Sequence, residues 1–588
     1  MKLRTGAMVA GTVAFALVLA ACSSKSATPG TNASSGTSGV SGFNAASKGI
    51  VNPSTHKGGV LKLAQSADFD SLDPARTYYA YGWNFTRFYN RTLVSSTPAP
   101  GKDSLKLTND LAASQDISSD GLTYTYKLKS GVKFEDGTAI TSKDIKYGIE
   151  RIFATDVISG GPTYLLDFLD EGQKYKGPYK DTDPNKLGLK SITTPDDTTI
   201  VFKLAQPFGD FPYLLAMPGA GPVPRLKDTG AKYGSHPVAS GPYKFESYQP
   251  GKSLTLVRNE NWDPATDTVR KAYPDKIQVT SGLDPDELDS ELMDGTQFVD
   301  IAQVGVQATA QAKILLNPDL KKNADEPLTG FTRYFSISTV VPPLNNIDCR
   351  KAVQYATDKV ALQTARGGKD AGGDVAPSMI PPSVAGYDAN LTPFTGTAGT
   401  PDITKAKAAL AACGQPNGFK TVIAGTNKGK GPKVSEALQQ ALAKVGIQAT
   451  IDSTDASLYY STTIGSPANV HKKGYGLMQA GWGADFPTGY GYLDVLVDGR
   501  KIQAAGNSNY GEVNLPEIND AIDKAKVETD PTKAAADWAA IDKLAMDTAS
   551  FLPFVFDKAL NYRNPKATNV YVDSYYGMVD FQALGVAG

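Results

Sequence analysis

The sequence predicts a mixed α/β protein that divides into two or three lobes. The chain has 588 residues, more than a single hydrophobic core usually serves. Period-two and helix-type apolar patterns both recur along it, and many of its 57 Gly and 37 Pro lie in turn-forming pairs or in the N-terminal tract. With 41% hydrophobic and 20% charged residues, the composition is that of an ordinary globular protein.

The N-terminus predicts a signal peptide over 1–21 and a lipidated cysteine at Cys22. Lys2 and Arg4 supply a positive end, and residues 7–21 are almost entirely small or apolar. This run is shorter than the roughly 20 residues that span a bilayer comfortably. The sequence Leu-Ala-Ala-Cys at its end is similar to a bacterial lipobox, in which the cysteine is lipidated. The alternative is a lone cysteine after an ordinary signal peptide.

Residues 22–57 are expected to form the lipidated end and a flexible tether. From Ser23 to Lys57 the chain is mainly Ser, Gly, Ala, Thr and Asn. Such a composition buries too little apolar surface to offset chain entropy. Apart from the signal, no apolar run is long enough to cross a membrane. The sequence therefore predicts a body anchored by lipid to the extracytoplasmic face of the cell membrane.

The first part of the body shows mainly strand patterns separated by turns. The clearest is the alternation at 122–128, and Thr141-Ser-Lys-Asp144 is typical of a capped helix start. The predicted strands of this part lie at 60–65, 122–128, 199–204, 241–248, 253–258 and 276–280.

The second part holds more helix. Its strands are predicted at 420–424 and 449–452. Its helices are predicted at 350–363, 403–412, 433–445, 516–525 and 531–548.

Two cysteines remain after Cys22, namely Cys349 and Cys413, each in a segment with a helical pattern. Outside the cytoplasm an even pair of cysteines more often bridges than stays free. We therefore predict a disulfide that joins the two helices. The alternative is two separated free thiols.

The signals of a secreted hydrolase are missing from the sequence. The chain has three His, with no His-Glu-x-x-His zinc motif and no Gly-x-Ser-x-Gly elbow between a strand and a helix. Two cysteines that are expected to be bridged leave little for cysteine-based catalysis. A carboxylate-only glycosidase is not excluded by counting, because Asp and Glu total 60. We expect no catalytic residue, no metal site and no cofactor.

The charge pattern gives no indication of a nucleic-acid partner. The formal net charge is -1, and no dense Lys/Arg run forms a basic patch. The run at 425–433 is similar in composition to a phosphate loop, but it lacks that loop's spacing and final Ser/Thr. We interpret it as a charged surface turn.

A series of sequence blocks occurs in an order typical of one known family. The blocks are Gly58-Gly59 with Leu72-Asp-Pro, Leu111-Ala-Ala-Ser, Asp120-Gly-Leu-Thr-Tyr-Thr-Tyr-Lys-Leu, Gly131-Val-Lys-Phe-Glu-Asp-Gly-Thr, Ser240-Gly-Pro-Tyr-Lys, Asn259-Glu-Asn-Trp262, Cys349-Arg-Lys-Ala-Val-Gln-Tyr-Ala-Thr-Asp-Lys and Gly481-Trp-Gly-Ala-Asp-Phe-Pro. From Gly58 to about Val570, the chain resembles the extracytoplasmic solute-binding proteins of the dipeptide/oligopeptide-importer class (family 5).

The resemblance implies an α/β, two-lobed periplasmic-binding-protein-like fold of the class II (cluster C) type with an inserted α/β subdomain. The two lobes are expected to close over a cleft by a hinge motion. By likeness, lobe I comprises 58–95, 190–325 and 552–588, the inserted subdomain 96–189, and lobe II 326–551.

The resemblance also implies a monomer that captures peptides and delivers them to ABC permease subunits, with ATPases behind them. The expected binding mode is strand addition, in which main-chain hydrogen bonds hold any peptide backbone and wet pockets accept varied side chains. The family also includes members for nickel chelates, sugars and opines. A receptor for peptide signals would use the same fold.

Asp485 is expected to bind the α-amine of the ligand. In peptide-binding relatives, the Asp of the Gly-Trp-x-Ala-Asp block pairs with the free α-amine of the peptide. A carboxylate in a closed cleft gains a charge-assisted bond to an ammonium group, and low dielectric strengthens that bond. The alternative is an Asp that caps the turn before Pro487 or the helix that follows.

Five aromatic residues are further candidates for contacts to the ligand. Trp482 is expected to form a wall of the cleft, with core packing as the alternative. Tyr164 falls near the position where relatives place a cleft tyrosine on the inserted subdomain. Tyr78, Tyr79 and Trp83 belong to a segment that borders the cleft in relatives, and each could instead be a core residue.

Gln479 marks a departure from the family pattern. Some oligopeptide binders carry an Arg six residues before the amine-binding Asp, where it meets the peptide carboxylate. Because this position holds Gln479 here, selection by the peptide C-terminus is either absent or performed by a different residue. The ligand could then be a longer peptide, a modified peptide or another amine-bearing solute.

Overall fold

A computed structural model describes residues 39–394, 399–455 and 459–588, and residues 39–588 form one compact unit. The predicted signal peptide and Cys22 lie outside the described residues. Among the helices of the described ranges, none is both long and apolar enough to cross a membrane.

The strands are short and are distributed along the whole described chain. They are β1 (Val60–Gln65), β2 (Val94–Ser96), β3 (Leu107–Asn109), β4 (Ala112–Ile117), β5 (Thr123–Leu128), β6 (Ile192–Asp196), β7 (Thr199–Lys203), β8 (Tyr243–Gln249), β9 (Ser253–Arg258), β10 (Lys276–Ser281), β11 (Val299–Asp300), β12 (Ala324–Asp325), β13 (Leu328–Ile337), β14 (Asp374–Val375), β15 (Lys420–Thr426), β16 (Gln448–Thr454), β17 (Tyr475–Gly483), β18 (Phe551–Lys558), β19 (Asn561–Tyr562), β20 (Ala567–Thr568), β21 (Val572–Asp573), β22 (Met578–Val579) and β23 (Gly585–Val586).

The α-helices become longer toward the C-terminal half. They are α1 (Ala80–Thr86), α2 (Ser142–Ile152), α3 (Tyr164–Leu169), α4 (Phe211–Ala216), α5 (Pro285–Asp294), α6 (Ala308–Leu316), α7 (Pro318–Lys321), α8 (Ile347–Ala356), α9 (Lys359–Arg366), α10 (Gly368–Gly372), α11 (Ile403–Ala412), α12 (Gly431–Ala443), α13 (Pro467–Lys473), α14 (Gly489–Val497), α15 (Pro516–Val527) and α16 (Pro531–Asp547).

The centre of lobe I is a five-stranded sheet with the order β11-β1-β10-β9-β8. Strand β1 runs parallel to β10 and β11, whereas β9 pairs antiparallel with β10 and β8. Leu61 and Leu63 of β1 are buried opposite Ile277 and Val279 of β10. These pairs bury one face of the sheet because alternate residues of a strand point to the same side.

The inserted subdomain is built on a four-stranded antiparallel sheet with the order β4-β5-β7-β6. On β5, Tyr124, Tyr126 and Leu128 point into the core, as the period-two pattern predicts. Helix α2 packs against β6, and its start carries the predicted capping box between Thr141 and Asp144. Because β6 and β7 complete this sheet, the subdomain extends past the predicted boundary at 189.

Lobe II is organised around a six-stranded mixed sheet with the order β14-β18-β13-β17-β15-β16. Strand β13 pairs antiparallel with both β17 and β18, and β15 runs parallel to β16 and β17. The sequence predicted that the chain returns to lobe I at 552. Strand β18, however, belongs to the sheet of lobe II. The chain returns after β18, where β19 pairs with β12.

The helix predicted over 350–363 is in fact two helices, α8 and α9. Thr357 is extended, with φ −75° and ψ 128°. The carboxylate of Asp358 then accepts a hydrogen bond from the Ala361 N–H (3.0 Å) and caps α9. The predicted helices at 403–412, 516–525 and 531–548 are confirmed as α11, α15 and α16, with bounds that differ by at most two residues.

Cys349 of α8 and Cys413 form a disulfide with a Cα–Cα distance of 5.4 Å. Cys413 is the residue directly after the last turn of α11, so it lies at the helix end rather than within the helix. Cys349 is fully buried in the core between the lobe II sheet and its helices. The disulfide therefore links the C-terminal end of α11 covalently to α8.

Residues 39–57, predicted to be part of a flexible tether, pack against the body. Val51 and Val570 exchange two backbone hydrogen bonds of 2.8 and 3.0 Å. The Ala46 N–H donates to the carboxylate of Asp325 at 2.9 Å, next to the crossover between the lobes. Ala46 and Val51 are almost fully buried. Backbone hydrogen bonds and a few small apolar side chains thus order this segment, and the predicted tether does not extend over it.

Candidate ligand-binding site

Residues of lobe I, lobe II and the inserted subdomain meet at Asp485. It lies two residues after the end of β17, in lobe II. Its Oδ2 atom accepts hydrogen bonds from the hydroxyl of Tyr78 (2.8 Å) and the hydroxyl of Tyr164 (2.5 Å). Tyr78 directly precedes the N-cap of α1 in lobe I, and Tyr164 begins α3 in the inserted subdomain. This carboxylate therefore lies at a junction between the lobes.

The helix that follows Asp485 is capped by another residue. The hydroxyl of Thr488 accepts a hydrogen bond from the Gly491 N–H (3.4 Å) at the start of α14. The backbone N–H of Asp485 donates to the Gly491 carbonyl (3.2 Å), but its carboxylate faces the two tyrosines. The contacts thus favour a role of the carboxylate in the cleft over the capping role.

Burial makes the carboxylate of Asp485 a weaker acid than usual. Burial raises its pKa to about 6, and hydrogen bonds from Tyr164 and Tyr78 partly offset that rise. No Lys, Arg or His of the described ranges contributes to its pKa. Burial and the nearby Asp485 raise the pKa of both tyrosines, so their hydroxyls stay protonated and act as donors.

Aromatic rings hold both tyrosines in place. The ring of Tyr78 stacks on buried Trp83, with 5.9 Å between centroids and 15° between planes. The ring of Tyr164 packs edge-on against Phe486 and Tyr490 of lobe II, at 5.6 and 6.2 Å. Trp83 therefore orients Tyr78, and the contacts of Tyr164 form part of the closed interface between the subdomain and lobe II.

Two of the predicted aromatic contacts lie apart from Asp485. Tyr79 is 55% exposed and stacks on Tyr81 at 5.4 Å. Trp482 pairs with Thr332 across β17 and β13, and it packs against the core. By strand alternation it points away from the face that Gly481 and Gly483 share. Its indole N–H is buried without a hydrogen-bond partner in the described part of the chain.

Gln479 lies in a different part of lobe II, in the wall of a cavity of about 160 Å³. Its side-chain amide donates to the Gly431 carbonyl at 3.2 Å. The cavity is lined by four cationic residues, and we call it the cation pocket. Its polar and charged lining residues are Arg333, Arg366, Thr426, Lys428, Lys430, Tyr460 and Gln479.

Sequence reasoning missed most of the cation pocket. Arg333 and Arg366 lie in separate elements, and no spacing pattern connects them. Lys428 and Lys430 belong to the run interpreted as a charged surface turn. That interpretation fits Lys428, whose side chain is 74% exposed, but Lys430 is half-buried and donates a hydrogen bond to the Ala371 carbonyl.

The cleft between the lobes contains two neighbouring cavities that share Ser383 and Ser574. One, of about 40 Å³, lies beside Asp485, between Ala484 on lobe II and Ala80 on lobe I. The other, of about 310 Å³, lies toward the crossover between the lobes. Its size falls in the range of small-molecule sites. Its charged lining residues are Lys102, Glu326, Asp374 and Lys558.

Part of β17 presents a strand edge near Asp485. On the side of β15, the pairing of β17 ends at Met478. On its other side, β17 stays paired with β13 as far as Gly483. Among the described strands, none pairs with residues 480–483 on the β15 side. The Tyr460 hydroxyl accepts a hydrogen bond from the Gly481 N–H, so an extended chain could form main-chain hydrogen bonds only with the remaining backbone groups of this stretch.

The described residues show no sign of a metal centre. No group of three or more His, Cys, Asp or Glu side chains among them could hold a metal ion. The clustered groups of the site are instead a carboxylate, two phenols and, in the cation pocket, several cations.

Comparison with known proteins supports the same fold. The chain is 43% identical to the clavulanic acid biosynthesis oligopeptide binding protein 2, with a TM-score of 0.90 over 94% of this chain and 99% of that one. A periplasmic binding protein DppA from Helicobacter pylori, solved with the peptide STSA, gives a TM-score of 0.70 at 23% identity, over 91% and 99% of the two chains. The two-lobed periplasmic-binding-protein-like fold predicted from the sequence is thus confirmed.

Sequence comparison identifies the family. The chain is 26% identical over 511 residues to the probable D,D-dipeptide-binding periplasmic protein DdpA of Escherichia coli (strain K12), covering 86% of this chain and 89% of that protein. It is also 26% identical to the glutathione-binding protein GsiB of Escherichia coli O1:K1 / APEC, over 80% and 84% of the two chains. The model of the bacterial extracellular solute-binding proteins, family 5 (middle region), matches residues 106–504. Proteins of this family bind solutes for transport and are not enzymes, and the chain belongs to the bacterial extracellular solute-binding proteins of family 5.

Proposed function

We propose that the protein captures peptides by their free α-amine and delivers them to the permease of an ABC importer. In this proposal it acts as a monomer, held at the extracytoplasmic face of the membrane by a lipid on Cys22. The observation that carries the proposal is the carboxylate of Asp485, which lies between the lobes with two hydroxyl donors and no cation of the described ranges beside it.

An ammonium group would complete the surroundings of this carboxylate. Both tyrosine hydroxyls bond to Oδ2. The Oδ1 atom has no hydrogen-bond partner among the described side chains and stays available to a ligand. A charge-assisted bond from an ammonium to a poorly solvated carboxylate is stronger than the same bond in water. A free α-amine is therefore the ligand group that fits this site best.

The end of β17 supports a peptide rather than a simple amine. Residues 480–483 lead directly to Asp485, and an extended backbone could pair with the groups on their β15 side that the Tyr460 hydroxyl does not occupy. Such main-chain hydrogen bonds hold peptides of many sequences. The names of the relatives, which refer to dipeptides, glutathione and oligopeptides, agree with this ligand class.

Membrane attachment and delivery to a permease rest on other observations. The Leu-Ala-Ala-Cys22 sequence after an apolar run supports export and lipidation. Membership of a family of transport binding proteins supports delivery to an importer.

The first test is native mass spectrometry of the protein purified from cells that express the full chain, followed by denaturation to release bound solutes. A set of short peptides is the expected result, whereas a single non-peptide solute would contradict the ligand class. Calorimetric titration then compares one recovered peptide with its N-acetylated form. We expect acetylation to abolish binding, and equal affinity for the two forms would overturn the amine role of Asp485.

A further inference from the structure

The cation pocket carries more positive charge than its own acidic groups neutralise. Arg333 comes from β13 and Arg366 from the end of α9, whereas Lys428 and Lys430 lie in the loop between β15 and α12. Among the residues that the structure describes, the one carboxylate within bonding distance of the two arginines is Asp557 of β18. All of these residues belong to lobe II, so the pocket does not depend on closure of the cleft.

Asp557 is shared by both guanidinium groups. Its Oδ2 accepts from Nε (3.0 Å) and Nη2 (2.7 Å) of Arg333. Its Oδ1 accepts from Nε of Arg366 (2.8 Å), with Nη2 at 2.7 Å. One carboxylate thus faces two guanidinium groups. The Nη1 atoms of both arginines have no hydrogen-bond partner among the described residues and can donate to a further acceptor.

The two lysines add to this excess. The Nζ of Lys430 donates to the Ala371 carbonyl at 2.6 Å, a bond that leaves its charge uncompensated. Burial and the nearby Arg366 lower the pKa of Lys430 to about 8, although Asp557 acts in the opposite direction. Lys428 lies 3.8 Å from Asp455, and both side chains are largely exposed. Four cations against two carboxylates leave an excess of two positive charges.

Gly481 allows the pocket to approach the strand that leads to Asp485. Arg333 and Gly481 are paired across β13 and β17. A Cβ atom at Gly481 would lie 2.4 Å from Nη1 of Arg333, so a larger residue there would require the Arg333 side chain to shift away from the strand. Because β17 ends at Gly483, the distance from Gly481 to Asp485 is at most about 13 Å, the value for four residues at a strand rise of ~3.3 Å each. One ligand of peptide size can therefore reach both places.

We propose that the cation pocket binds an acidic group of the captured ligand, and that this group is an oxyanion with two negative charges, such as a phosphoryl group or a pair of carboxylates. The proposal rests on the proposed function and specifies the class of ligand. A volume of about 160 Å³ holds several waters at ~30 Å³ each, which is room for one such group. An oxyanion would accept from the free Nη1 atoms and from Lys430, and its charge would match the excess of the pocket.

The test uses small anions as probes of the full chain at pH 7.5 and low salt, because at this pH Lys430 is still mostly protonated. Binding of inorganic phosphate, succinate and acetate is measured by calorimetric titration. We expect saturable binding of phosphate, of succinate or of both, and weaker binding of the singly charged acetate. Phosphate alone would indicate a phosphoryl group, and succinate alone a pair of carboxylates. Absence of saturable binding by both dianions, or acetate binding as tight as theirs, would overturn the proposal.

Variants then locate the site of binding. Lys430→Gln should weaken the bound dianion about tenfold or more, since a charge-assisted hydrogen bond is lost. Lys430→Arg should retain most of the affinity. The matched control is Lys433→Gln on α12, where the exposed side chain pairs with Glu436 at 3.0 Å, and it should bind like the wild type. Equal loss in Lys430→Gln and Lys433→Gln would contradict the assignment.

Two further measurements separate this proposal from other effects. The melting temperature of each variant without anion shows whether it folds, and the Lys430→Arg variant tests the charge even if Lys430→Gln is unstable. Asp485→Asn should weaken capture of the amine and leave the affinity for the small anion unchanged. A wrong assignment of the amine site would thus appear in the titrations with peptides, and a wrong assignment of the cation pocket in the titrations with small anions.

Discussion

The hydroxyl of Tyr164 lies 2.5 Å from the carboxylate of Asp485, so a residue of the inserted subdomain and a residue of lobe II share a hydrogen bond across the cleft. Tyr78 of lobe I donates to the same oxygen. The group proposed to bind the ligand therefore also contributes to closure of the lobes. Changes at these three residues should affect ligand capture, its pH dependence or both.

Replacing Asp485 by Asn tests the amine site directly. The amide keeps the size of the side chain and removes the charge. We expect the affinity for a free-amine peptide to fall by at least about 2 kcal/mol, since truncating one partner of a buried charge pair costs roughly 2–5 kcal/mol. Calorimetric titration measures the change. Asp520→Asn, at an exposed position of α15, is the matched control, and an equal loss there would rule out a specific role of Asp485.

The affinity for amine ligands should decrease as the pH falls through about 6. The free protein has a pKa of about 6 at Asp485 because of burial, whereas a bound ammonium lowers this pKa. Binding below pH 6 must therefore release a proton, and the affinity drops by up to about tenfold per pH unit. Between about pH 6 and pH 7 the carboxylate is already ionised and the peptide α-amine, with an ordinary pKa of about 7.7–8.0, is still protonated, so the affinity should be flat there. Titrations between pH 4.5 and 7 check this, and a flat profile throughout would contradict it.

Removing the Tyr164 hydroxyl should shift this pH dependence. Its hydrogen bond stabilises the ionised form of Asp485 and lowers the pKa of that carboxyl. In Tyr164→Phe we therefore expect the loss of affinity to begin at a higher pH than in the wild type. Tyr79→Phe is the control, because Tyr79 is exposed and stacks on Tyr81 rather than contacting Asp485. The same midpoint in all three proteins would show that the hydrogen bond has no effect.

The disulfide between Cys349 and Cys413 should stabilise lobe II. It closes a loop with a sequence separation of 64, for which the chain-entropy relation gives about 4 kcal/mol. Cys349→Ala combined with Cys413→Ala should lower the unfolding temperature measured by calorimetry. A reductant should lower that of the wild type and leave that of the double variant unchanged. Insensitivity of the wild type to reductant would show that the bond contributes little.

Replacing Cys22 by Ala should release the protein from membranes, because no other lipid attachment site is proposed. Fractionation of cells followed by detection of the protein measures this. Ser26→Ala changes a residue outside the predicted lipobox, leaves the Cys349–Cys413 disulfide intact and should stay in the membrane fraction. Retention of the Cys22 variant in that fraction would argue against lipidation.

Local patterns predicted the elements that depend on near neighbours in the chain. The alternation of Tyr124, Tyr126 and Leu128 gave β5 its buried face. The capping box of Thr141 and Asp144 marked the start of α2. In both cases the determining residues lie within a few positions of each other, so periodicity and capping chemistry are visible in the sequence.

Features of the fold and of the site that depend on contacts between residues far apart in the sequence could not be predicted from local patterns. Asp557 bonds to Arg333, which is 224 residues away in the sequence, and to Arg366, 191 residues away. No periodicity connects such positions, and the cation pocket therefore appears only in the fold. The break between α8 and α9 was missed for a different reason, since an apolar pattern continues across Thr357 while Asp358 starts a new helix.

The packing of residues 39–57 against the body limits how far the protein could move from a membrane. If residues 23–57 were all free, they would reach about 120 Å when fully extended, at ~3.5 Å per residue. With 39–57 held by the body, only residues 23–38 separate the proposed lipid on Cys22 from it, and their greatest reach is about 55 Å. A body of this length has a radius of gyration of about 24 Å, so this reach is close to its own diameter. Gly39 would thus stay within about 55 Å of the proposed lipid, and the protein would search for a permease by diffusing in two dimensions.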